Sequence, residues 1–163
     1  IEAGSRRSAF ASVDLAPPLG DLAELYEAVA EEKGVTLTAE IPERLPAYGD
    51  RELIQQAVAN LLDNAVKFSP AGGTVRLRAG AVPNGVEVAV IDEGPGIPQE
   101  DLKRATERFF RGESARSTPG AGLGLALVQA VAQLHGGTLR LEDARPGLAA
   151  RLTVPAGEQP ANA

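Results

Sequence analysis

The chain has 163 residues, enough for one domain with a sizeable core and too few for two. It contains no cysteine, which excludes a disulfide framework and any thiolate metal site, and its formal charge of -6 argues against a general nucleic-acid or anionic-membrane surface. No stretch approaches the ~20 continuous apolar residues of a membrane-spanning helix and no signal peptide is visible, so the chain as given reads as soluble.

Residues 1–9 carry no periodicity that could anchor a core, and the opening IEAGSRR, without an initiator Met, reads as a linker or the stub of a preceding helix. A first strand is expected from Phe10 to Leu15, closed by Pro17 and Pro18. From Leu19 to Lys33 the apolar positions Leu22, Leu25, Val29 and Ala30 recur at helical spacing, and Gly34 supplies the stop. The segment Val35 to Ile41 alternates Val35, Leu37, Ala39 and Ile41, as a strand does. A loop with Pro42 and Pro46 follows.

The stretch DRELIQQAVANLLDNAVKFS, Asp50 to Ser69, predicts one long helix, with Asp50 as N-cap and no glycine or proline before Pro70. Turned at about 100° per residue, Ile54, Val58, Leu61, Leu62, Ala65 and Val66 share an arc, while Asn60, Asn64 and Lys67 line a narrow stripe on the far side. A solvated face would normally carry Glu, Lys, Gln or Arg, because Asn lowers helix stability. Two Asn at i and i+4, with Lys three further on, look placed for coordination. Leu53 and Ala57 beside the stripe suggest that something covers it.

Ala71-Gly72-Gly73 then turns into a strand, Thr74 to Ala79, and Asn84-Gly85 marks a hairpin into Val86 to Asp92. The interval from Glu93 to Thr118 has only one short helical signal, at Pro98, and intervals of that length are usually functional loops or disorder. A helix is expected from about Gly122 to His135, capped by Gly136, then strands Thr138 to Glu142 and Ala149 to Val154, with 156–163 a disordered tail. This order predicts an α/β two-layer sandwich: a mixed, mostly antiparallel sheet with three main helices on one face.

Three groups could carry chemistry. Asp92 ends the most apolar strand in DEGPGI, where an acid needs donors to offset desolvation; beside Gly94 and Gly96 it would suit an adenine amine, although a plain turn explains the motif about as well. Gly120, Gly122 and Gly124 in GAGLGLALV stand before a helix, where backbone amides and a positive helix end hold phosphate. Neither the Walker nor the dinucleotide pattern fits them. Arg104, Arg108, Arg111 and Arg116, with Phe109 and Phe110, could fold a loop over polyphosphate, though singly such arginines are more often solvated. His135, the single histidine, sits in the last turn of a helix, where the dipole favours a cation, and reads as structural. Magnesium, which takes oxygen ligands and keeps waters, could be held by Asn64 and nucleotide phosphates.

Taken together, NLLDNAVKFSP, DEGPGIP, ERFFRG and GAGLGLALV closely resemble the asparagine box, the two glycine boxes and the intervening phenylalanine box of the ATP-binding catalytic domain of bacterial sensor histidine kinases. The resemblance runs from about Phe10 to Val154 and implies an ATP-binding domain over 10–155 with the two-layer Bergerat (GHKL) fold of gyrase, mismatch-repair and chaperone ATPases. It also implies roles for matching residues. Asn64 would coordinate Mg2+, with Asn60 assisting, and Lys67 would contact phosphate. Phe68 would pack near the base, Asp92 would accept from the adenine amine, and Gly94, Gly96 and Ile97 would line the base site. Gly120, Gly122, Leu123, Gly124 and Leu125 would form the phosphate cradle, and Arg108 or Arg111 would reach the terminal phosphate from a lid over about 98–119.

Two departures shape the expected activity. The family's phosphoacceptor histidine lies in a separate helical segment, and His135 matches a helix end instead, so ATP and Mg2+ binding without self-phosphorylation is expected. Hydrolytic relatives carry a glutamate four residues before the magnesium asparagine; here that place is Asn60, which cannot act as a base. The implied partners are the dimerisation and phosphoacceptor domain of the same kinase and a response regulator receiver domain, with no nucleic acid and no direct membrane contact. The domain is expected as a cytoplasmic monomer, its parent as a homodimer that can be anchored in the inner membrane. A serine kinase of the anti-sigma type and a non-catalytic nucleotide-binding module are the competing readings, and acid stability of the phosphoamino acid separates the first from a histidine kinase.

Overall fold

The structure, a computed structural model, describes residues 9–94, 121–144 and 146–157. Among these the elements run β1 (Ala11–Asp14), α1 (Ala16–Lys33), β2 (Thr36–Glu40), β3 (Pro46–Gly49), α2 (Arg51–Phe68), β4 (Thr74–Val82), β5 (Gly85–Ile91), α3 (Ala121–Leu134), β6 (Thr138–Asp143) and β7 (Leu148–Val154). The main sheet has the order β2-β4-β5-β7-β6. Only β2 and β4 pair in parallel, because α2 supplies the crossover that a parallel pair requires; the other three pairs are antiparallel.

One face of this sheet presents Val75, Leu77, Val86, Val88, Val90, Leu148, Ala150, Leu152 and Val154, all buried. Against it pack Leu19 and Leu22 of α1, Ile54, Val58 and Leu62 of α2, and Leu125, Val128 and Val131 of α3, in one continuous cluster. Each large aliphatic buried there contributes about 1.5–3 kcal/mol. The opposite face carries ion pairs such as Arg78 with Glu40 at 3.2 Å and Arg151 with Glu142 at 2.9 Å. Exposed pairs are worth about 0–1 kcal/mol each, so the helix-to-sheet interface holds the sandwich together.

The architecture is the expected two-layer sandwich, with local differences. The first strand does not join the main sheet. It pairs antiparallel with β3, from Ala11 opposite Gly49 to Asp14 opposite Pro46, where only a loop had been expected. Proline is tolerated at the first residue of such a strand. Helix α1 starts at Ala16, because Pro17 and Pro18 fit a first turn whose amides need no intrahelical partner. Strand β4 runs on to Val82, so Pro83-Asn84 forms the hairpin loop and Gly85 pairs with Val82. Ala156 and Gly157, expected to open a tail, instead bridge to Ala47 and donate to the Pro46 carbonyl at 3.1 Å. No described helix is long and apolar enough to cross a membrane. The stub at 1–8, the signal at Pro98, the arginine-rich interval and residues 158–163 lie outside the described residues.

Candidate functional site

Helix α2 is the scaffold of the site. Asp50 caps it as expected, its Oδ1 accepting from the backbone amides of Glu52 at 3.0 Å and Leu53 at 3.2 Å. At the far end the Ser69 amide donates to the carbonyls of Ala65 and Val66. Between them the polar stripe is covered at its middle and open at its end: Ala57 is fully buried, Asn64 is only 8% exposed and Asn60 is half-buried, while Lys67 is exposed. The Asn64 side-chain amide forms no hydrogen bond among the described residues. A Cβ placed on Gly124 would lie 3.5 Å from Asn64 Nδ2, so the first turns of α3 stand directly across from it.

The glycines of α3 are arranged differently from the expectation of a cradle ahead of the helix. Gly122 and Gly124 are already helical, since α3 begins at Ala121. The opening amides of any helix lack intrahelical partners, so the helix end still offers donors and a partial positive charge. Leu125 points its side chain into the core. Lys67 is exposed over 43% of its side chain, with its ammonium 3.9 Å from Asp63. That separation in open solvent leaves Lys67 available to a more strongly charged partner.

Asp92 stands at the end of β5, 3% exposed. Its Oδ1 accepts from the amides of Gly94 at 2.9 Å and Leu148 at 3.2 Å, which supplies the donors a buried carboxylate needs. Gly147, at φ 100°, closes on the same residue: a Cβ there would come within 1.8 Å of the Asp92 carbonyl oxygen. Gly94 has a comparable reason to be glycine, because its Cβ would meet the Phe68 carbonyl at 2.4 Å. The space beside Gly94 is thus taken by the Phe68 backbone. That contact ties the half-buried Phe68 at the end of α2 to the Asp92 turn.

His135 is structural, but not as a cation. Its Nε2 accepts from the Asp50 amide at 3.0 Å, so the proton sits on Nδ1, which donates to the Val131 carbonyl at 2.8 Å. Burial pushes its pKa below the ordinary value, outweighing the Val131 carbonyl and the Asp50 charge, which pull it up. Phe10 stacks on the imidazole at 4.5 Å.

Asn60, Asn64, Lys67 and Phe68 on α2, Asp92 and Gly94 at the end of β5, and Gly124 on α3 thus border one region. Gly96, Ile97, Arg104, Arg108, Phe109, Phe110, Arg111, Arg116 and Gly120 lie outside the described residues. Sequence reasoning missed Gly147 and Leu148, whose one signal is the Pro146-Gly147 turn pair, and Ser69, whose buried hydroxyl has no partner among the described residues.

Residues 49–158 match the family of histidine kinase-, DNA gyrase B- and HSP90-like ATPases. The chain is similar to the signal transduction histidine-protein kinase/phosphatase MprB of Mycolicibacterium smegmatis, 50% identical over 101 residues, 61% of this chain and 20% of that protein. It therefore spans about a fifth of the length of that curated relative. Among solved structures it is similar to the mycobacterial sensor histidine kinase MprB, with TM-score 0.76 and 37% identity over 89% of this chain and 97% of that one. The catalytic domain of histidine kinase ThkA matches with TM-score 0.80 and 26% identity, over 90% of this chain and 97% of that one. The ATP-binding domain of PrrB from Mycobacterium tuberculosis matches with TM-score 0.70 and 32% identity, over 91% and 98%. The chain belongs to the histidine kinase-, DNA gyrase B- and HSP90-like ATPase family, and is the catalytic ATP-binding domain of a histidine kinase.

Proposed function

We propose that this domain binds Mg-ATP between α2, the Asp92 turn and the head of α3, and transfers the γ-phosphate to a histidine on a dimerisation and phosphoacceptor domain. The observation that carries this reading is Asn64: a nearly buried amide without a hydrogen-bond partner among the described residues, facing a helix N-terminus. An uncharged oxygen in that setting suits Mg2+, which takes one or two protein ligands and completes its shell with phosphate and water. Asn64 would hold the ion, with Asn60 assisting through water. When bound, Mg2+ neutralises charge on the phosphate chain.

The chain's own residues then have separable tasks. The amides heading α3, at Ala121, Gly122 and Leu123, receive phosphate oxygens, and Lys67 adds charge at the exposed side. Phe68 packs near the base, Asp92 accepts from the adenine amine, and Gly94, Gly96 and Ile97 complete the base wall. Arg108 or Arg111 reaches the terminal phosphate. In the reaction an imidazole nitrogen of the acceptor attacks the γ-phosphorus and the bond to the bridging oxygen of the ADP leaving group breaks. The imidazole proton passes to solvent. Positioning and charge neutralisation suffice, because imidazole is itself a nucleophile, and Asn60, four residues before Asn64, cannot act as a base to activate water. The downstream partner is a response regulator receiver domain, and the parent is a homodimer whose catalytic domains lie in the cytoplasm.

Asn64→Ala tests this directly. Titration calorimetry with ATP, with and without Mg2+, should show the metal-dependent part of the affinity falling by roughly ten- to a hundredfold, the loss of one ligand to a charged group. The melting temperature should hardly change, since Asn64 bonds nothing among the described residues. Unchanged Mg-ATP affinity would remove Asn64 from the site.

A further inference from the structure

Helix α2 ends where its functional side chains are concentrated, and a helix end is its least determined part. The last carbonyls of any helix lack intrahelical partners, so a terminal turn frays unless something outside it takes them up. Here the Ser69 amide reaches back to Ala65 and Val66 only. The next carbonyl, that of Lys67, is taken up by a residue 34 positions earlier in the chain, Lys33, whose ammonium donates to it and also to the Val66 carbonyl at 2.8 Å.

Lys33 is held in place to do this. It is the last residue of α1, and the next residue, Gly34, adopts φ 81° and returns its amide to the Ala30 and Glu31 carbonyls. The Gly34 carbonyl accepts from Gly72 at 2.7 Å, and the Thr36 amide donates to the Gly73 carbonyl at 3.0 Å. The end of α1 is therefore pinned to the turn that immediately follows α2. From that fixed point the lysine stem spans to the carbonyls of Val66 and Lys67, between Asn64 on one side and Phe68 on the other.

We propose that Lys33 is a positioning residue for the nucleotide site: it sets the direction in which Lys67 and Phe68 leave α2 by holding the backbone carbonyls of that turn. The inference rests on the placement of nucleotide at α2 proposed above. Binding groups must be held to within about 0.5 Å and 10–20° to be effective, and among the described residues the Lys67 ammonium is otherwise met by the Asp63 carboxylate at 3.9 Å. A lysine that merely complemented the helix dipole would stabilise α2 without altering how Lys67 and Phe68 meet a ligand.

The test uses the whole chain and Mg-ATP titrated by calorimetry. Lys33→Met keeps the stem and removes the ammonium; Lys33→Arg restores a donor. The Met variant should bind Mg-ATP about three- to tenfold more weakly than the parent chain, the size of one helix-end charge interaction, while melting at nearly the same temperature. The Arg variant should recover most of the affinity. Combined with Lys67→Ala the loss should be less than additive, and combined with the more distant Asp92→Asn it should be additive. Equal binding by Lys33→Met, or full additivity with Lys67→Ala, overturns the role of Lys33. Failure of the parent chain to bind Mg-ATP at all overturns the nucleotide reading itself, and the two results cannot be confused.

Discussion

Residue 64 shows most plainly what kind of site this is. Asn in a helix interior costs stability relative to Ala. A fold that places one there, 8% exposed and with no hydrogen bond among the described residues, has a use for the amide that lies outside its own packing. Asp92 is a different case, since its Oδ1 also serves the fold by accepting from Gly94 and Leu148. Asp92→Ala would orphan two buried amides and confuse base recognition with stability. Asp92→Asn keeps an acceptor for them while exchanging the other oxygen for an amide NH2, which donates and cannot accept from an adenine amine. This variant should lose roughly tenfold or more in ATP affinity, with little effect on nucleotides whose base lacks that amine. Competition binding with a panel of nucleoside triphosphates checks this, and an equal loss for every base would remove Asp92 from adenine recognition.

Among the elements, α2 is anchored at both ends by residues from elsewhere in the chain. At its start the Asp50 amide is taken up by His135, at the end of α3; at its close Lys33 of α1 holds the carbonyls. The histidine joint has a pH dependence with a definite sign. His135 is neutral when folded and its pKa lies below the ordinary 6.5, so on acidification the unfolded chain takes up this proton first. The stability it contributes is fully present above 6.5 and is lost as pH falls below it, at up to about 1.4 kcal/mol per pH unit. Asp14, whose carboxyl is held below 3.8 by the Leu45 and Ala16 amides, gives up its contribution only in stronger acid. Melting temperatures between about pH 7 and 5 should therefore decline, and His135→Gln, which keeps an acceptor but does not titrate, should flatten that decline. An unaltered slope in the variant would assign the effect to other groups.

For the molecule as a whole, the proposed chemistry needs a second domain to supply the nucleophile. The purified chain with ATP should acquire no phosphate, should hydrolyse ATP slowly, and should label an added cognate dimerisation domain with phosphate that is lost in acid. Acid-stable label on the partner would indicate a serine kinase, and acid-labile label on His135 would show that its burial against Asp50 and Phe10 is not maintained. Much of this is legible in the amino-acid sequence. Helix α2 with its Asp50 cap, the stop at Gly34, the hairpin near Asn84 and the turn at Gly136 depend on neighbours a few residues away, and so do the spacing of Asn60, Asn64 and Lys67 and the glycine-rich head of α3. Periodicity and capping record such local preferences directly. What only the tertiary structure decided involves partners far apart in the chain: β1 pairing with β3, Asn64 covered by α3, Gly94 against Phe68, Gly147 against Asp92, the neutral His135 on Asp50, and Lys33 at the close of α2. Those contacts exist because packing one cluster of aliphatic side chains brings distant backbone groups to within hydrogen-bonding range, and no local pattern encodes which distant residue will arrive there.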